Sequence, residues 1–274
     1  MDRPPWVPRG IDISVPSVSR MYDHYLGGAC NFEADRAAAQ RVLAFLPGLP
    51  KAAQANRAFV RRAVRYAVGV GVTRFLDVGC GIPSFGAQDG VHEVARKAGG
   101  APVRVVYVDH DPVAVAHAGA VLAHESATVA AVGDLRKPRD LLALDAVGRL
   151  LDPARPVALV LAFVLHHLQD DDRPYEAVHE LGAALPPGSL LILTHASYEG
   201  ISVPAEQVGG AVDVYQDIRS PVIMRSRDQI ARFFEGYDMV QPGLVPMPHW
   251  RPETAPEDED PCAFAAFAGV GRAA

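Results

Sequence analysis

A chain of 274 residues with 49% hydrophobic and 21% charged residues has the make-up of a globular protein, enough for one large domain or two small ones, and not that of a disordered or fibrous one. Its formal net charge of -6 argues against a nucleic-acid partner, because phosphate binding is driven by clustered cations. The longest apolar run, 157–165, falls far short of the roughly 20 residues that span a bilayer, and Cys30, Cys80 and Cys262, odd in number and without C-x-x-C spacing, indicate neither a disulfide framework nor a zinc site.

The proline-rich residues 1–10 carry no apolar leader and are expected to lie over the surface of a cytoplasmic protein. A first helix is predicted from Ser17 to Leu26, with serine near its start and Gly27-Gly28 at its stop. A second spans about 33–45. The third, 51–68, sets Phe59, Val60, Ala63 and Val64 on one stripe and Arg57, Arg61, Arg62 and Arg65 on what reads as a wet face. With no polar or glycine-serine linker after them, these helices (residues 1–72) read as a cap on a single unit, residues 73–274. From Arg74 the chain alternates. Strands are predicted at 74–79, 103–109, 127–132, 157–163 and 189–195, with helices near 90–99, 112–124, 139–150 and 174–185. Continuously apolar strands alternating with helices give an α/β fold, a mostly parallel sheet covered on both faces. Further helices are expected at 205–218 and 226–235. The last apolar runs, 239–248 and 262–270, have no helix between them and are expected to pair antiparallel.

Within this order the apolar strand Phe75–Val78 is interrupted only by Asp77 and breaks into Gly79-Cys80-Gly81. Glycines there permit positive φ and let a ligand approach bare backbone amides at the carboxyl edge of a sheet. A helix follows, then a strand ending in Asp109, the layout in which a carboxylate accepts from ribose hydroxyls. Two features depart from the dinucleotide fingerprint: Ser84 stands where a third glycine belongs, and the acid lies 109 − 81 = 28 residues on rather than about 20.

The series LDVGCG, YVDHDP, AVGD and ALVLAFVLHHL resembles the successive binding loops of class I S-adenosylmethionine-dependent methyltransferases. The segment Ser19–Gly28 with Asn31-Phe32 and Asp35-Arg36 resembles, more narrowly, a family of bacterial S-adenosyl methyltransferases of domain-of-unknown-function origin, a likeness that runs from about Ile11 to Val270. It implies a Rossmann-like sheet of seven strands with the last antiparallel and S-adenosylmethionine as cofactor; a small-molecule acceptor is expected instead from the negative charge, the absence of an added recognition domain and an expected lid. On that resemblance Gly79 and Gly81 form the cofactor loop and Asp77 lies near the methionine ammonium, unless it merely ties down the loop. Asp109 takes the ribose, with His110 flanking the adenine and Asp111 free to cap the next helix. Asp134 and Leu135 meet the adenine amine, or Asp134 is a turn residue. Ala162 and Phe163 approach the ribose or the methyl. Arg20, Tyr22, Tyr25 and Asn31 place a cation, two phenols and an amide in the first helix and its exit turn, and so read as a lid over the cofactor, with Arg20 or Tyr22 near its carboxylate and Gly27-Gly28 permitting close approach; packing of Tyr22, Tyr25 and Leu26 on the sheet is the alternative. His166, His167 and Tyr22 are candidates for a base, although an imidazole after this strand also serves as packing. Methyl transfer from a sulfonium needs no protonated leaving group, so no obligatory catalytic residue is expected. Two other readings use the same residues: an S-adenosylmethionine-binding sensor without an acceptor, and an NAD-dependent oxidoreductase, against which the terminal hairpin and Ser84 count.

Overall fold

Strand β1 (Arg74–Val78) has every residue buried, and its alternate side chains feed two different cores, as the two-residue period of a strand requires. The computed structural model describes residues 11–82, 90–99, 102–125, 127–199, 203–253 and 266–274. Pro83, Ser84, Cys262 and most of the loop after the second glycine lie outside these. Ten helices are present among the described residues: α1 (Val18–Tyr25), α2 (Glu33–Phe45), α3 (Leu49–Gly69), α4 (Val91–Ala98), α5 (Pro112–Val121), α6 (Pro138–Leu142), α7 (Asp145–Leu150), α8 (Pro174–Ala183), α9 (Ala205–Asp217) and α10 (Arg227–Ala231).

Strands β2 (Arg104–Asp109), β3 (Thr128–Val132), β4 (Ala158–Ala162) and β5 (Leu190–Ala196) run parallel to β1 in the order β3-β2-β1-β4-β5. Phe75, Val105, Tyr107, Val160 and Ile192 pack against α3, α4 and α5 through Phe59, Val64, Val94 and Ala118. Leu76, Val106, Leu159 and Leu191 face the other way, onto Val147, Val178, Leu181 and Ile230. A third cluster belongs to neither face: Met21, Tyr25, Ala38, Ala39, Val42 and Ala53 close on Ala211 and Val214 of α9. The packing of the N-terminal helices is therefore completed by a helix from late in the chain.

The C-terminal edge has one strand more than the seven expected. The run 239–248 is divided into β6 (Tyr237–Met239) and β7 (Val245–Pro246), because Gln241-Pro242 and Gly243, with φ of 89°, turn the chain between them. Both pair antiparallel with β8 (Ala266–Ala273), which inserts antiparallel beside β5 with Leu190 opposite Arg272. The helix expected over 139–150 is also two. Leu144 is extended, with φ of −62° and ψ of 129°, and Asp145 opens α7 in its first turn, where the amide dipoles favour an acid.

The arginine face of α3 is only partly solvated. Arg62 donates from Nε to the Trp250 carbonyl (2.8 Å) and from its Nη2 to that of Met247 (2.8 Å), Arg65 pairs with Glu253, and Arg57 turns toward the cleft described next. Trp250, fully buried, meets Phe59 and Tyr66 edge-on at 5.3 and 6.0 Å.

Candidate active site

A cavity of about 780 Å³ lies over the carboxyl ends of the parallel strands, between them and α1, α3 and α9, where an open α/β sheet places its ligand. Gly79, Gly81, Asp77, Asp109, His110, Asp134, Leu135, Ala162 and Phe163 all line it, as do Tyr22, His166 and His167. Arg20 and Asn31 are not among its lining residues.

The glycine loop is shaped for close approach but not for amide donation. Gly79 has φ of 72° and Gly81 of 63°. The Gly79 and Cys80 amides donate to the Val108 carbonyl at 2.8 and 3.2 Å, and the Gly81 amide donates to Asp109 Oδ2 at 2.7 Å, so all three amides are already engaged with the end of β2. A Cβ on Gly79 would fall within 2.7 Å of Val164 Cβ, whereas one on Gly81 would meet open space. Gly79→Ala is therefore expected to lower stability by about 1–3 kcal/mol from its φ alone and to shift the loop. Thermal melting and a cofactor titration check this, and unchanged values for both contradict it.

Asp109 is 2% exposed and accepts additionally from the Asp111 amide (2.9 Å) and, at longer range, from Ser19 Oγ (3.4 Å). Burial pushes its carboxyl up, against the neighbouring His110 and the backbone bonds. Asp111 caps α5 by accepting from the Val113 amide at 2.8 Å, so the ribose and capping readings fall on different aspartates. Asp77 is 6% exposed and has no hydrogen-bond partner among the described residues; burial holds its carboxyl up at about 7, with Arg57 pulling down and Asp109 pushing up. A buried carboxyl in that condition, at the wall of a cavity and with Arg57 as the nearby cation, would be stabilised as its anion by a further cationic group. Asp134 is in its turn pose: it accepts from the Arg136 amide and takes the Arg136 guanidinium at 2.8 Å on Oδ2. Burial alone would raise it, yet these bonds leave it lowered.

Arg20 and Asn31 bond to protein groups away from the cavity lining. Arg20 is 3% exposed and donates to Asp35 Oδ2 (2.8 Å), Asp111 Oδ2 (3.1 Å) and the Val15 carbonyl (2.6 Å). Asn31 donates to Asp23 Oδ2 (2.8 Å) and the Gly28 carbonyl (2.9 Å). Gly28 is where it is because a Cβ would collide with the Asp23 carboxylate; the close approach it allows is to that acid, not to a ligand. The polar signature of the first helix thus ties α1 to α2 and to the start of α5.

Tyr22 does reach the cavity. Its hydroxyl donates to the Ala53 carbonyl (3.1 Å) and accepts from Asn56 Nδ2 (2.9 Å); Asn56 Oδ1 accepts from Thr194 Oγ1 (2.7 Å), which accepts from the Phe163 amide (2.9 Å). This chain holds Phe163 at φ of 55°, a left-handed conformation that costs a non-glycine residue of order 1–3 kcal/mol and survives only where its surroundings impose it. Asn56 was not among the expected site residues. Its signal is its spacing: three and four residues before Phe59 and Val60, it sits on the buried stripe of α3. Arg57, Ser19, Tyr25 and Tyr215 are further lining residues.

Burial pushes three histidines, His166, His167 and His195, below their ordinary value. His195 donates from Nδ1 to the Ala196 carbonyl (2.6 Å) and accepts on Nε2 from the buried Arg225 (3.0 Å); burial pushes it down to about 3. His167, lowered to about 4 mainly by burial, bonds the Pro221 backbone. Proline has only a carbonyl to offer, so the ring donates; its Nδ1 is buried without a partner, hence Nε2–H is the donor. His166 is held far below its ordinary value by burial, with His167, His195 and Arg225 adding to it. Its Nδ1 is buried and unpartnered, which leaves Nε2 as the ring nitrogen on the cavity side.

This sheet and this cleft define a class I methyltransferase. The chain belongs to the S-adenosyl methyltransferase family, whose model matches residues 4–274; it is an S-adenosylmethionine-dependent enzyme. Among solved structures it is similar to a provisionally assigned methyltransferase of Thermobifida fusca YX, 35% identical, with TM-score 0.89 over 98% of this chain and 99% of that one. A DUF574 family protein of Streptomyces avermitilis MA-4680 is 31% identical, with TM-score 0.88 over 96% and 99%. Among curated proteins none matches. No described helix is long and apolar enough to cross a membrane.

Proposed function

We propose that the enzyme methylates a small molecule bound beside S-adenosylmethionine in this one cavity, beneath a cap formed by residues 1–72 on the unit 73–274. The observation that carries the reading is that the glycine turn and the acid of β2 face a common space and are joined by the Gly81–Asp109 bond of 2.7 Å. When bound, the cofactor supplies an electrophilic methyl on a sulfonium, and the C–S bond breaks with both electrons passing to sulfur, so no proton need be delivered to the leaving group.

The residues present fit that cofactor. Asp77 offers a buried carboxylate to the methionine ammonium, and Gly79 and Gly81 let the methionine portion lie against the loop. Asp109 would take the ribose hydroxyls. His110, Asp134 and Leu135 border the adenine, with the Asp134 carboxylate shared with Arg136. Ala162 and Phe163 sit where the methyl would face the acceptor, and Tyr22 covers it from α1. Arg20 and Asn31 support this arrangement through the cap without touching it. The cavity's volume lies within the roughly 300–1,000 Å³ of small-molecule sites, near its upper end, which leaves space for an acceptor.

Calorimetry with S-adenosylmethionine, S-adenosylhomocysteine and NAD tests the cofactor. The first two are expected to bind and NAD not to; binding of NAD in preference to either would overturn the proposal.

A further inference from the structure

One wall of the cavity is a continuous arc of rings. Tyr22 meets Phe163 edge-on at 6.4 Å between centroids, and Phe163 meets His166 at 5.3 Å. His166 lies 4.4 Å from His167, and His167 lies 6.1 Å from Tyr215, whose hydroxyl pairs with that of Tyr25 at 3.1 Å. All six line the cavity. The arc starts on α1, passes the carboxyl end of β4 beside the proposed position of the methyl, and returns through α9 to α1.

Four of its seven polar ring atoms have partners, and the Nδ1 atoms of His166 and His167 are buried away without one. The Tyr22 hydroxyl is held by Ala53 and Asn56, the other two phenols hold each other, and His167 bonds Pro221. His166 Nε2 is the remaining polar atom of the six rings that has no partner and faces the cavity. Nor does the arc hold a charge. Asp77, Asp109 and the Asp134–Arg136 pair lie at the cofactor end, Arg57 acts on both Asp77 and Tyr22, and of the other charged lining residues Arg219 is exposed and Asp172 accepts from the Gln169 amide. Burial and Arg225 keep His166 itself neutral.

We infer that the methyl acceptor is a neutral aromatic molecule bearing a hydroxyl, its ring packed against the Tyr22–Phe163–His166–His167–Tyr215 arc and its hydroxyl at His166 Nε2. The inference rests on the cofactor occupying the glycine-loop end. Rings arranged edge-on favour another ring through their quadrupoles, beyond the area buried. An anionic acceptor would lose its hydration against uncharged rings, and the two cations bordering them are Arg57, which also serves the Asp77 carboxyl, and the solvent-exposed Arg219. A hydroxyl both donates and accepts, so it satisfies the one open imidazole nitrogen in either tautomer.

The test uses the whole protein saturated with S-adenosylhomocysteine and three probes of one size: 2-naphthol, naphthalene-2-sulfonate and the saturated alcohol decalin-2-ol. By calorimetry, 2-naphthol is expected to bind about three- to tenfold more tightly than decalin-2-ol and roughly tenfold or more above the sulfonate. Tyr215→Leu should weaken 2-naphthol by about threefold or more with S-adenosylhomocysteine affinity unchanged, and His166→Phe should remove the preference for 2-naphthol over naphthalene. Equal binding of the three probes, tighter binding of the sulfonate, or an unaltered 2-naphthol affinity in Tyr215→Leu would overturn the assignment while leaving the cofactor reading intact. Failure of S-adenosylhomocysteine to bind the wild type would overturn both.

Discussion

Replacing Arg20 by alanine is expected to lower the stability of the enzyme by about 3–5 kcal/mol, because it leaves buried carboxylates without their cation. Its guanidinium serves Asp35 of α2, Asp111 at the start of α5 and the Val15 carbonyl at once, and lies over the Phe32 ring at 5.3 Å. Asp35 is fully buried and Asp111 is 7% exposed, so water does not take over. For a domain of this size the loss corresponds to a fall in melting temperature of roughly 6–20 °C, measurable by calorimetry or circular dichroism. Arg20→Lys should recover little, since one ammonium on a flexible stem cannot meet three separated acceptors. Cofactor affinity should fall as well, because Asp111 adjoins Asp109 and Ser17 Oγ bonds Asp111 at 2.5 Å. Loss of affinity at unchanged melting temperature would contradict this account and favour direct contact of Arg20 with the ligand.

The Asp77→Asn variant is expected to separate stability from binding. In the free protein the carboxyl is raised from 3.8 to about 7, first by burial. A raised folded value means that its contribution to stability is fully present below pH 3.8 and is lost as pH climbs through 7. Asparagine has nothing to ionise, so near pH 8 the variant without ligand should melt above the wild type. Binding runs the other way. A cationic ammonium beside Asp77 favours the carboxylate, so below pH 7 binding releases a proton and affinity should strengthen with pH by up to about tenfold per unit, levelling off above 7. In Asp77→Asn that dependence should vanish, and at pH 8 the affinity should be weaker by about 2–5 kcal/mol. Calorimetry from pH 5.5 to 8.5 in two buffers of different ionisation heat reads both the slope and the proton. A wild-type affinity that ignores pH across that range would rule out Asp77 as the partner of the ammonium.

The strands and their faces were legible because burial leaves a simple trace. Phe75 and Leu76 point to opposite cores and are both apolar, which marks a strand covered on two sides, and Asp109 announces the end of such a strand by interrupting it. The same logic locates the cavity at the carboxyl edge. What escaped is of another kind. Arg20 and Asn31 are as polar as any ligand-binding pair, and composition does not distinguish an arginine aimed at a cofactor from one aimed at Asp35 and Asp111, which lie 15 and 91 residues away. The two-sided use of α3 was similarly hidden, since Arg57 and Arg62 sit on the polar side of the wheel yet meet the cavity and the Trp250 turn. Local spacing also gave no sign that Gly28 makes room for Asp23, or that the run 239–248 bends at Gly243. Each depends on a contact made only after the chain has closed on itself.

Synthesis order acquires a meaning from the third hydrophobic cluster. Met21 leaves the ribosome 211 − 21 = 190 residues before Ala211, its neighbour in the finished molecule. The N-terminal helices must wait with an apolar side uncovered while the whole parallel sheet is translated, a long-range closure of the sort that slows folding and exposes nascent chains to aggregation. Such a protein matures from the middle outward, and its leading end is among the last parts to settle.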